Sequence, residues 1–524
     1  MMQYATMIPI EEPTVPASTR RLPGARRLLA AAASAAVVVI CLQPIAAEAS
    51  SVPISGDHVT GISHTAFSVA LSAEPGSGWT YHLYASTTKS KVYASNLSQA
   101  LTASSKSASK ILLSNLSYTT AAYWWRIQAT NGSVHRTGPM HSVGLRPSTP
   151  TSVSVHTAAS RFPWLTWSSG AATGFTVQTA TNSTFTSGLG SYSVRYNARS
   201  FTPYVVSKGT TYYYRVRAVN NGTASSFANS SNTAVDPATR LSVKAMTYNI
   251  LQLTADGTSE SGNTVAPWSQ RRTGAAKWIN DNSPDVVAIE EGTPFLTGTH
   301  TRQVDDLVSA LGGGYGLAST EVTYPNAGWF RTGDYILYNK STTAPVGSGG
   351  HFQISDFNNQ PKFAAYQIMR NITTGAQFLF VSIHATVGSG STYDQDREDE
   401  IKTAISDING YNSSNGNLPV IFAGDYNSHP GTGHAFDGPG IAMAAAHNAD
   451  SEAIAQSLVN NKYNSANQYL TTPPAFDQDI DHIYVPLGLG VSTFKIVIEL
   501  SSGKLVMPIP SDHNALMTTV AIPY

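Results

Sequence analysis

The sequence predicts a multidomain chain, all-β in its first half and layered α/β in its second. Three observations predict this. A chain of 524 residues is too long for one domain, since domains run to about 100–200 residues. Residues 51–240 are rich in Ser, Thr, Ala, Val and Tyr, and break into short alternating runs with no helical period. Residues 241–524 instead alternate apolar strand patterns with helical ones, as helices packed on sheets require.

The first fifty residues stand apart from both halves. Arg20, Arg21, Arg26 and Arg27 precede an almost wholly apolar run, Leu28 to Leu42, and Ala47-Glu-Ala49 supplies a small-x-small cleavage site. Residues 1–49 therefore read as a secretory signal peptide cut after Ala49, which makes the protein secreted. A retained anchor is the competing reading, but the run falls short of the ~20 apolar residues that a span requires. No stable membrane span is then expected after cleavage. The single cysteine, Cys41, lies inside the run behind Ile40, which is not the small residue a lipoprotein signal needs. The mature chain has no disulfide, no thiolate metal site and no cysteine nucleophile. Its stability must come from core burial.

A net charge of zero hides an asymmetry. Residues 50–240 carry 14 Lys/Arg against 3 Asp/Glu, and residues 241–524 carry 14 against 26. A basic N-terminal half suits a polyanion such as nucleic acid, a cell-wall polymer or an anionic membrane. The basic residues are scattered and form no run, so solubility or docking of the two halves is the simpler account.

Within residues 51–240, Phe67-Ser-Val-Ala-Leu71, Trp164-Leu-Thr-Trp167 and Phe175-Thr-Val-Gln-Thr179 read as short strands of an antiparallel sandwich. The segment repeats. Tyr123-Trp-Trp-Arg-Ile-Gln-Ala129 matches Tyr212-Tyr-Tyr-Arg-Val-Arg-Ala218, and each is followed by an Asn-Gly turn. Alternation sets an aromatic and then Ile127 or Val216 on one face, with Arg outward. These runs resemble the fibronectin type III family, whose sixth strand reads Tyr-x-Tyr-x-Val-x-Ala and whose second often carries a Trp, as Trp167 does here. The resemblance covers about 50–147 and 148–238, with the second copy clearer, because the early strand of the first lacks a Trp. It implies spacer or adhesive modules, with the aromatics in their cores. Pro-containing stretches at 146–150 and 236–240 read as linkers.

In the C-terminal half, Leu241 to Leu251 is a strand ending near Asn249. A polar loop leads to Trp268, where Ala275, Trp278 and Ile279 share one helical face. Asp285 to Gly292 is a second strand, ending in Glu290 and Glu291. A strand-end carboxylate needs a partner, a salt bridge or a bound cation. A helix at 304–311, a strand at 335–338, and a strand pair over 362–369 and 377–384 follow, the last closing on His384. A helix spans 396–409, with Ile401, Ala404, Ile405 and Ile408 inward. Val420-Ile-Phe-Ala-Gly-Asp-Tyr-Asn-Ser-His429 then reads as a buried strand surfacing at Asp425 and Asn427, which alternation sets on one face. Asp481 lies in the strand from 479 to 485, and Asp512 and His513 precede a last strand at 516–522. Asn249, Glu291, His384, Asp425, Asn427, Asp481, Asp512 and His513 all lie at or near strand ends, as a site gathered at one edge of two sheets requires.

The order Tyr-Asn, Asp-Val-Val-x-x-x-Glu, strand-end His, Gly-Asp-x-Asn, Ile-Asp-x-Ile and Ser-Asp-His resembles the endonuclease/exonuclease/phosphatase superfamily, over nearly all of 241–524. That resemblance implies a four-layer αββα sandwich and Mg²⁺-dependent phosphoester hydrolysis. It matches Glu291, Asn249 and Asp512 to metal-binding positions. It matches Asp425 and Asn427 to the pair orienting water and phosphoryl group. His513 matches the histidine that binds phosphoryl oxygens or acts as base, Asp481 the acid that orients it, and His384 a second histidine at the phosphate or leaving group. Three positions depart from the pattern: Glu290 stands where Gln is common, His482 where Tyr is common, and Ala385 where Leu is usual. By alternation Glu290 points away from Glu291. Oxygen ligands without Cys favour Mg²⁺ or Mn²⁺ over structural zinc.

The first functional expectation is a secreted Mg²⁺-dependent phosphodiesterase, a nuclease acting on extracellular nucleic acid. The second is a phosphatase or sphingomyelinase-type phospholipase of the same fold, although Trp329-Phe330 is too short a membrane-inserting element to argue for a lipase. The third, a non-catalytic adhesive protein, is disfavoured because every expected catalytic side-chain type is present. Substrate choice lies in the loops at 254–267, 312–332, 387–394 and 429–440.

Overall fold

The computed structural model describes residues 54, 56–71, 78–158, 161–204, 206–293, 302–318, 333–357, 360–430, 434–475 and 479–524. The expected signal peptide and Trp329-Phe330 lie outside the described residues.

Strict alternation builds the N-terminal half. In Tyr123–Asn131, Tyr123, Trp125, Ile127 and Ala129 are buried while Trp124, Arg126 and Gln128 are half-buried. This strand and Thr80–Ser86 lead a five-stranded sheet that faces a three-stranded one across a single core. The pattern recurs in Thr211–Asn220, which buries Tyr212, Tyr214, Val216 and Ala218 and pairs with Gly174–Ala180. A second three-stranded sheet, with Thr151–His156 and Trp164–Ser168, closes that core. Trp167 packs edge-on to Phe175 there, with ring centroids 5.2 Å apart. Apart from two 3₁₀ turns, the region's described regular structure is entirely β.

The second β unit is docked on the C-terminal half. Phe162 N donates to Gly488 O at 2.9 Å, Arg161 Nη1 donates to Leu487 O at 3.0 Å, and Arg195 pairs with Glu452.

The C-terminal half runs β1 (Arg240–Asn249), α1 (Trp268–Asn282), β2 (Val286–Glu290), α2 (Gln303–Ala310), β3 (Tyr315–Leu317), β4 (Tyr335–Asn339), β5 (Thr343–Pro345), β6 (Gly350–Phe357), β7 (Gln360–Asn371), β8 (Gln377–His384), α3 (Ser391–Ser413), β9 (Val420–Asp425), α4 (Gly438–Ala445), β10 (Asn448–Asp450), α5 (Ser451–Ile454), β11 (Ser457–Val459), β12 (Asp481–Pro486), β13 (Gly490–Val497) and β14 (Ala515–Pro523). One seven-stranded sheet has the order β3-β4-β2-β1-β14-β13-β11. The other has the order β5-β7-β8-β9-β12-β10, with β6 also pairing β7.

Central strands such as β8 and β9 are apolar on both faces because both faces are covered. One face of each sheet meets the other sheet. Val243, Ala245, Val286 and Ala288 pack there against Phe378, Phe380, Ile421 and Ile483. On the outer face of the first sheet, Met246 and Tyr248 receive Trp278 and Ile279 of α1 and Leu307 of α2. On the outer face of the second, Val381 and Phe422 receive Ile401, Ala404, Ile405 and Ile408 of α3 and Met443 of α4. Each such buried aliphatic side chain contributes about 1.5–3 kcal/mol of transfer free energy.

Two differences from the sequence reading are local. Helix α3 begins at Ser391 rather than 396, because Asp394 is drawn into its first turn. There it accepts from Ala435 N at 2.7 Å and pairs with Arg397. Helix α4 begins inside the loop read at 429–440: its Gly-Pro-Gly start looks like a breaker, yet Asp437 caps it by accepting from Gly440 N. Proline fits a first helical turn.

Candidate active site at the common sheet edge

Register brings the site together. Parallel pairing sets His384 of β8 beside Asp425 of β9, and antiparallel pairing sets Asp425 beside Asp481 of β12. On the facing sheet, Asn249 of β1 pairs with Glu290 of β2. Gly424 permits the close approach of β8 and β9, because a Cβ there would lie 1.9 Å from Ile383 O.

Asn249 is fully buried and joins the two sheets. Its Nδ2 donates to Glu291 Oε1 at 3.2 Å and to Asp425 Oδ2 at 3.1 Å. Its own Oδ1 accepts from Leu251 N at 3.0 Å, and its main-chain oxygen accepts from Ser511 Oγ at 2.7 Å. The same Ser511 Oγ lies 3.1 Å from Asp512 Oδ1 and accepts from His513 N at 3.1 Å. One serine thus ties the Asp512-His513 segment to the end of β1.

The dyad is direct. His513 Nδ1 lies 2.8 Å from Asp481 Oδ2, and both side chains are buried. His513 Nε2 faces Asp425 Oδ2 at 3.8 Å, and His384 Nε2 faces the same oxygen at 3.6 Å. Asp425, Asp481 and His513 each offer one ligand atom within 4.8 Å of the others.

Charge follows from burial and these neighbours. Burial alone would disfavour a charged His513, but Asp481, Asp425 and Asp512 outweigh it and raise it well above the ordinary imidazole range. His384 is held well below that range by burial, with Lys362 and His513 adding to the effect. Two histidines at one edge are therefore held in opposite states, one charged and one neutral. Burial and then Asp512 raise the Glu291 carboxyl, while burial and then Asp481 raise Asp425.

All eight expected residues reach this edge, two of them by a different route. Asn427 does not share a strand face with Asp425. The strand stops at Asp425, and Asn427 adopts a left-handed φ of 48°. It donates from its backbone N to Asp425 Oδ1 at 2.9 Å and from Nδ2 to Ala385 O at 3.2 Å. Asn tolerates that conformation and closes such turns, so turn chemistry places the amide. Glu291 likewise leaves the strand, with φ 57°. Glu290 points instead between the sheets, where Oε1 accepts from Thr247 Oγ1 at 2.9 Å and Ser382 Oγ at 3.4 Å. Burial holds its carboxyl well above the usual range, so it is a neutral member of the core.

The sequence reading missed three ionisable neighbours. Asp334, just before β4, is buried, and its carboxyl is pushed up to about 8 by burial, against Lys362 and reinforced by Glu291 and Asp425. Lys362, in β7, is half-buried and acts on both Asp334 and His384. Glu260, in the Ser259–Glu260 strand of the loop after β1, is pushed up to about 7 by burial and Asp512. A lone lysine opening a long apolar strand was the only local signal for these.

Divalent-cation chemistry fits the donor set. Asn249, Glu291 and Asp512 offer hard oxygen donors without a thiolate, the set that divalent cations such as Mg²⁺ or Mn²⁺ take. Asp512 raises the neighbouring Glu291 carboxyl, as an acid close to another does, and His513 offsets part of that effect.

Several solved structures are similar. An endonuclease/exonuclease/phosphatase family protein from Bacteroides thetaiotaomicron shares 17% identity over 54% of this chain and 98% of its own, with a TM-score of 0.42. A mannosyl-6-phosphatase from Bacteroides thetaiotaomicron VPI-5482 shares 17% identity over 53% of this chain and 99% of its own, at 0.41. The human Nocturnin catalytic domain with bound sulfate shares 16% over 54% and 96%, at 0.37. No curated protein matches the chain. Across residues 246–513 the sequence matches the Endonuclease/Exonuclease/phosphatase family, and the chain belongs to that family of phosphoester hydrolases.

Proposed function

We propose that residues 241–524 form a Mg²⁺- or Mn²⁺-dependent phosphodiesterase that acts on extracellular nucleic acid. In this reading residues 1–49 export the chain, and residues 50–147 and 148–238 are fibronectin type III-like modules that hold substrate or a cell-wall polymer near it. The observation that carries the chemistry is the Asp481–His513 pair at 2.8 Å, aimed at Asp425.

The proposed division of labour follows the geometry. Asn249, Glu291 and Asp512 would hold the cation, which when bound polarises a phosphoryl oxygen and offsets its developing charge. Asp425, fixed by Asn249 Nδ2 and the Asn427 backbone N–H, accepts a proton from the attacking water. Asn427 orients that water and the phosphoryl group. His513, charged beside Asp481, donates from Nε2 to a phosphoryl oxygen. Neutral His384 contacts the phosphate or the leaving oxygen.

A phosphatase acting on a small phosphomonoester is the second reading, favoured by one observation. Residues 241–524 carry 26 Asp/Glu against 14 Lys/Arg, an acidic balance that disfavours a long polyanion there.

The test offers mature protein four substrates in parallel: plasmid DNA, RNA, sphingomyelin and a soluble phosphomonoester, each with Mg²⁺ and with EDTA. Nucleic-acid cleavage abolished by EDTA supports the first reading. Phosphate release from the monoester alone moves the function to the second. Hydrolysis unaffected by EDTA overturns the metal-dependent account.

A further inference from the structure

We propose that the cleft between the second β unit and the C-terminal half binds an uncharged oligosaccharide. This inference is independent of the phosphoester chemistry, because it concerns a separate cavity of about 1150 Å³ on the far side of β12 from Asp481. Drug-sized ligand sites span about 300–1,000 Å³ and favour domain junctions, so this cleft has room for more than one sugar ring.

One wall is the turn after Gly190–Arg195. Tyr196 stands there 53% exposed, and Arg199 Nη1 braces the turn by donating to Tyr196 O at 2.9 Å and Ala198 O at 2.8 Å. The opposite wall comes from α4, β10 and α5, where Ile441 is 48% exposed. An exposed aromatic ring on a braced turn and an exposed aliphatic side chain are surfaces on which the C–H faces of sugars pack. Asn197, Asn461, Ser152 and Ser168 line the same cavity and supply hydrogen-bonding groups for hydroxyls.

The charges argue for a neutral ligand. Asp437, Asp450, Glu452 and Asp479 face Arg195, Arg199 and His482 around the cavity, a near balance. A polyanion would find no net positive charge there to hold it. Each of the four carboxylates already has a protein partner. Asp450 accepts from Glu452 N at 2.8 Å and lies 2.9 Å from His482 Nδ1. Asp437 accepts from Ser428 Oγ at 2.9 Å and Gly440 N at 3.1 Å. Asp479 accepts from Ser465 N at 3.0 Å, and Glu452 pairs with Arg195. These bonds also make the cleft rigid, which lowers the entropy cost of binding.

The experiment titrates the purified full chain with six neutral hexasaccharides (of the cellulose, xylan, mannan, chitin, starch and laminarin types) by calorimetry, alongside Tyr196→Ala and Ile441→Asp. The expected result is saturable binding of at least one hexasaccharide, weakened at least about tenfold by Tyr196→Ala and by Ile441→Asp. Phosphoester hydrolysis is expected to stay at the wild-type rate in both variants. Binding by none of the six, equal binding by the variants, or displacement of the sugar by a nucleic acid would overturn the proposal. Because the readout is binding, a failed phosphodiesterase assignment leaves this result interpretable.

Discussion

Replacing Asp481 by Asn isolates the orienting carboxylate of the dyad. The Oδ2 to Nδ1 separation is 2.8 Å and Asp481 is 1% exposed, so water cannot replace the lost charge. An amide at this position offers its N–H to Nδ1 and drives the proton to Nε2, or offers its oxygen without the charge that supports imidazolium. Positioned acid–base partners contribute about 10²–10⁴ in rate. For a buried, short, charge-assisted contact the upper part of that range applies, so kcat falls about 10³-fold, or ~4 kcal/mol of barrier. The assay is Mg²⁺-supported hydrolysis of whichever substrate the four-way panel identifies, with circular dichroism as a folding control. KM changes little, because Asp481 reaches the substrate only through His513. A correctly folded variant within about threefold of the wild-type rate would refute the dyad.

Three further outcomes follow from the same contacts. Gly424→Ala places a Cβ 1.9 Å from Ile383 O, forces β8 and β9 apart, and costs about 1–3 kcal/mol in urea unfolding; an unchanged midpoint would contradict the close approach. Glu291→Gln keeps the shape but removes a ligand charge, so the Mg²⁺ concentration for half-maximal rate rises at least about tenfold; an unchanged titration would remove Glu291 from the cation site. His482 is buried, which disfavours its charge, but Asp450 and Asp437 outweigh burial and push it up to about 10 from the ordinary 6.5. Its folded value is raised, so its stabilisation is full below pH 6.5 and is lost as pH climbs through 10. His482→Gln removes a stability slope of up to about 1.4 kcal/mol per pH unit across that window, and an identical slope in the variant would refute the assignment.

Much of the site was legible because strand ends are legible. An apolar run that stops at a polar residue marks where a buried strand surfaces, and Asn249, His384 and Asp425 each close such a run. Register then did what sequence order cannot state: it set His384, Asp425 and Asp481 on three adjacent strands. Period-two reasoning failed at the last step. Asn427 and Glu291 reach the edge through left-handed turns, which alternation does not describe. Glu290, the last residue of its strand, turns between the sheets to Thr247 and Ser382, where its raised carboxyl adds no charge.

Other features left little local trace beyond a lone lysine opening a strand. Asp334, Lys362 and Glu260 matter through tertiary neighbours, and each sits in an unremarkable stretch of its own. Helix α4 hid behind glycine and proline, and β13 behind a short run of mixed residues between loops. The cleft beside Tyr196 depends on docking through Gly488 and Glu452, some three hundred residues away in sequence, so no window of the chain reports it.

The most direct measurement compares wild type and His513→Ala on the panel's best phosphoester, each with Mg²⁺ and after EDTA. The account predicts fast turnover only for wild type with Mg²⁺, with the other three conditions at least about 10²-fold slower and both proteins equally folded. A folded His513→Ala that turns over like wild type, or a wild type indifferent to EDTA, would contradict it.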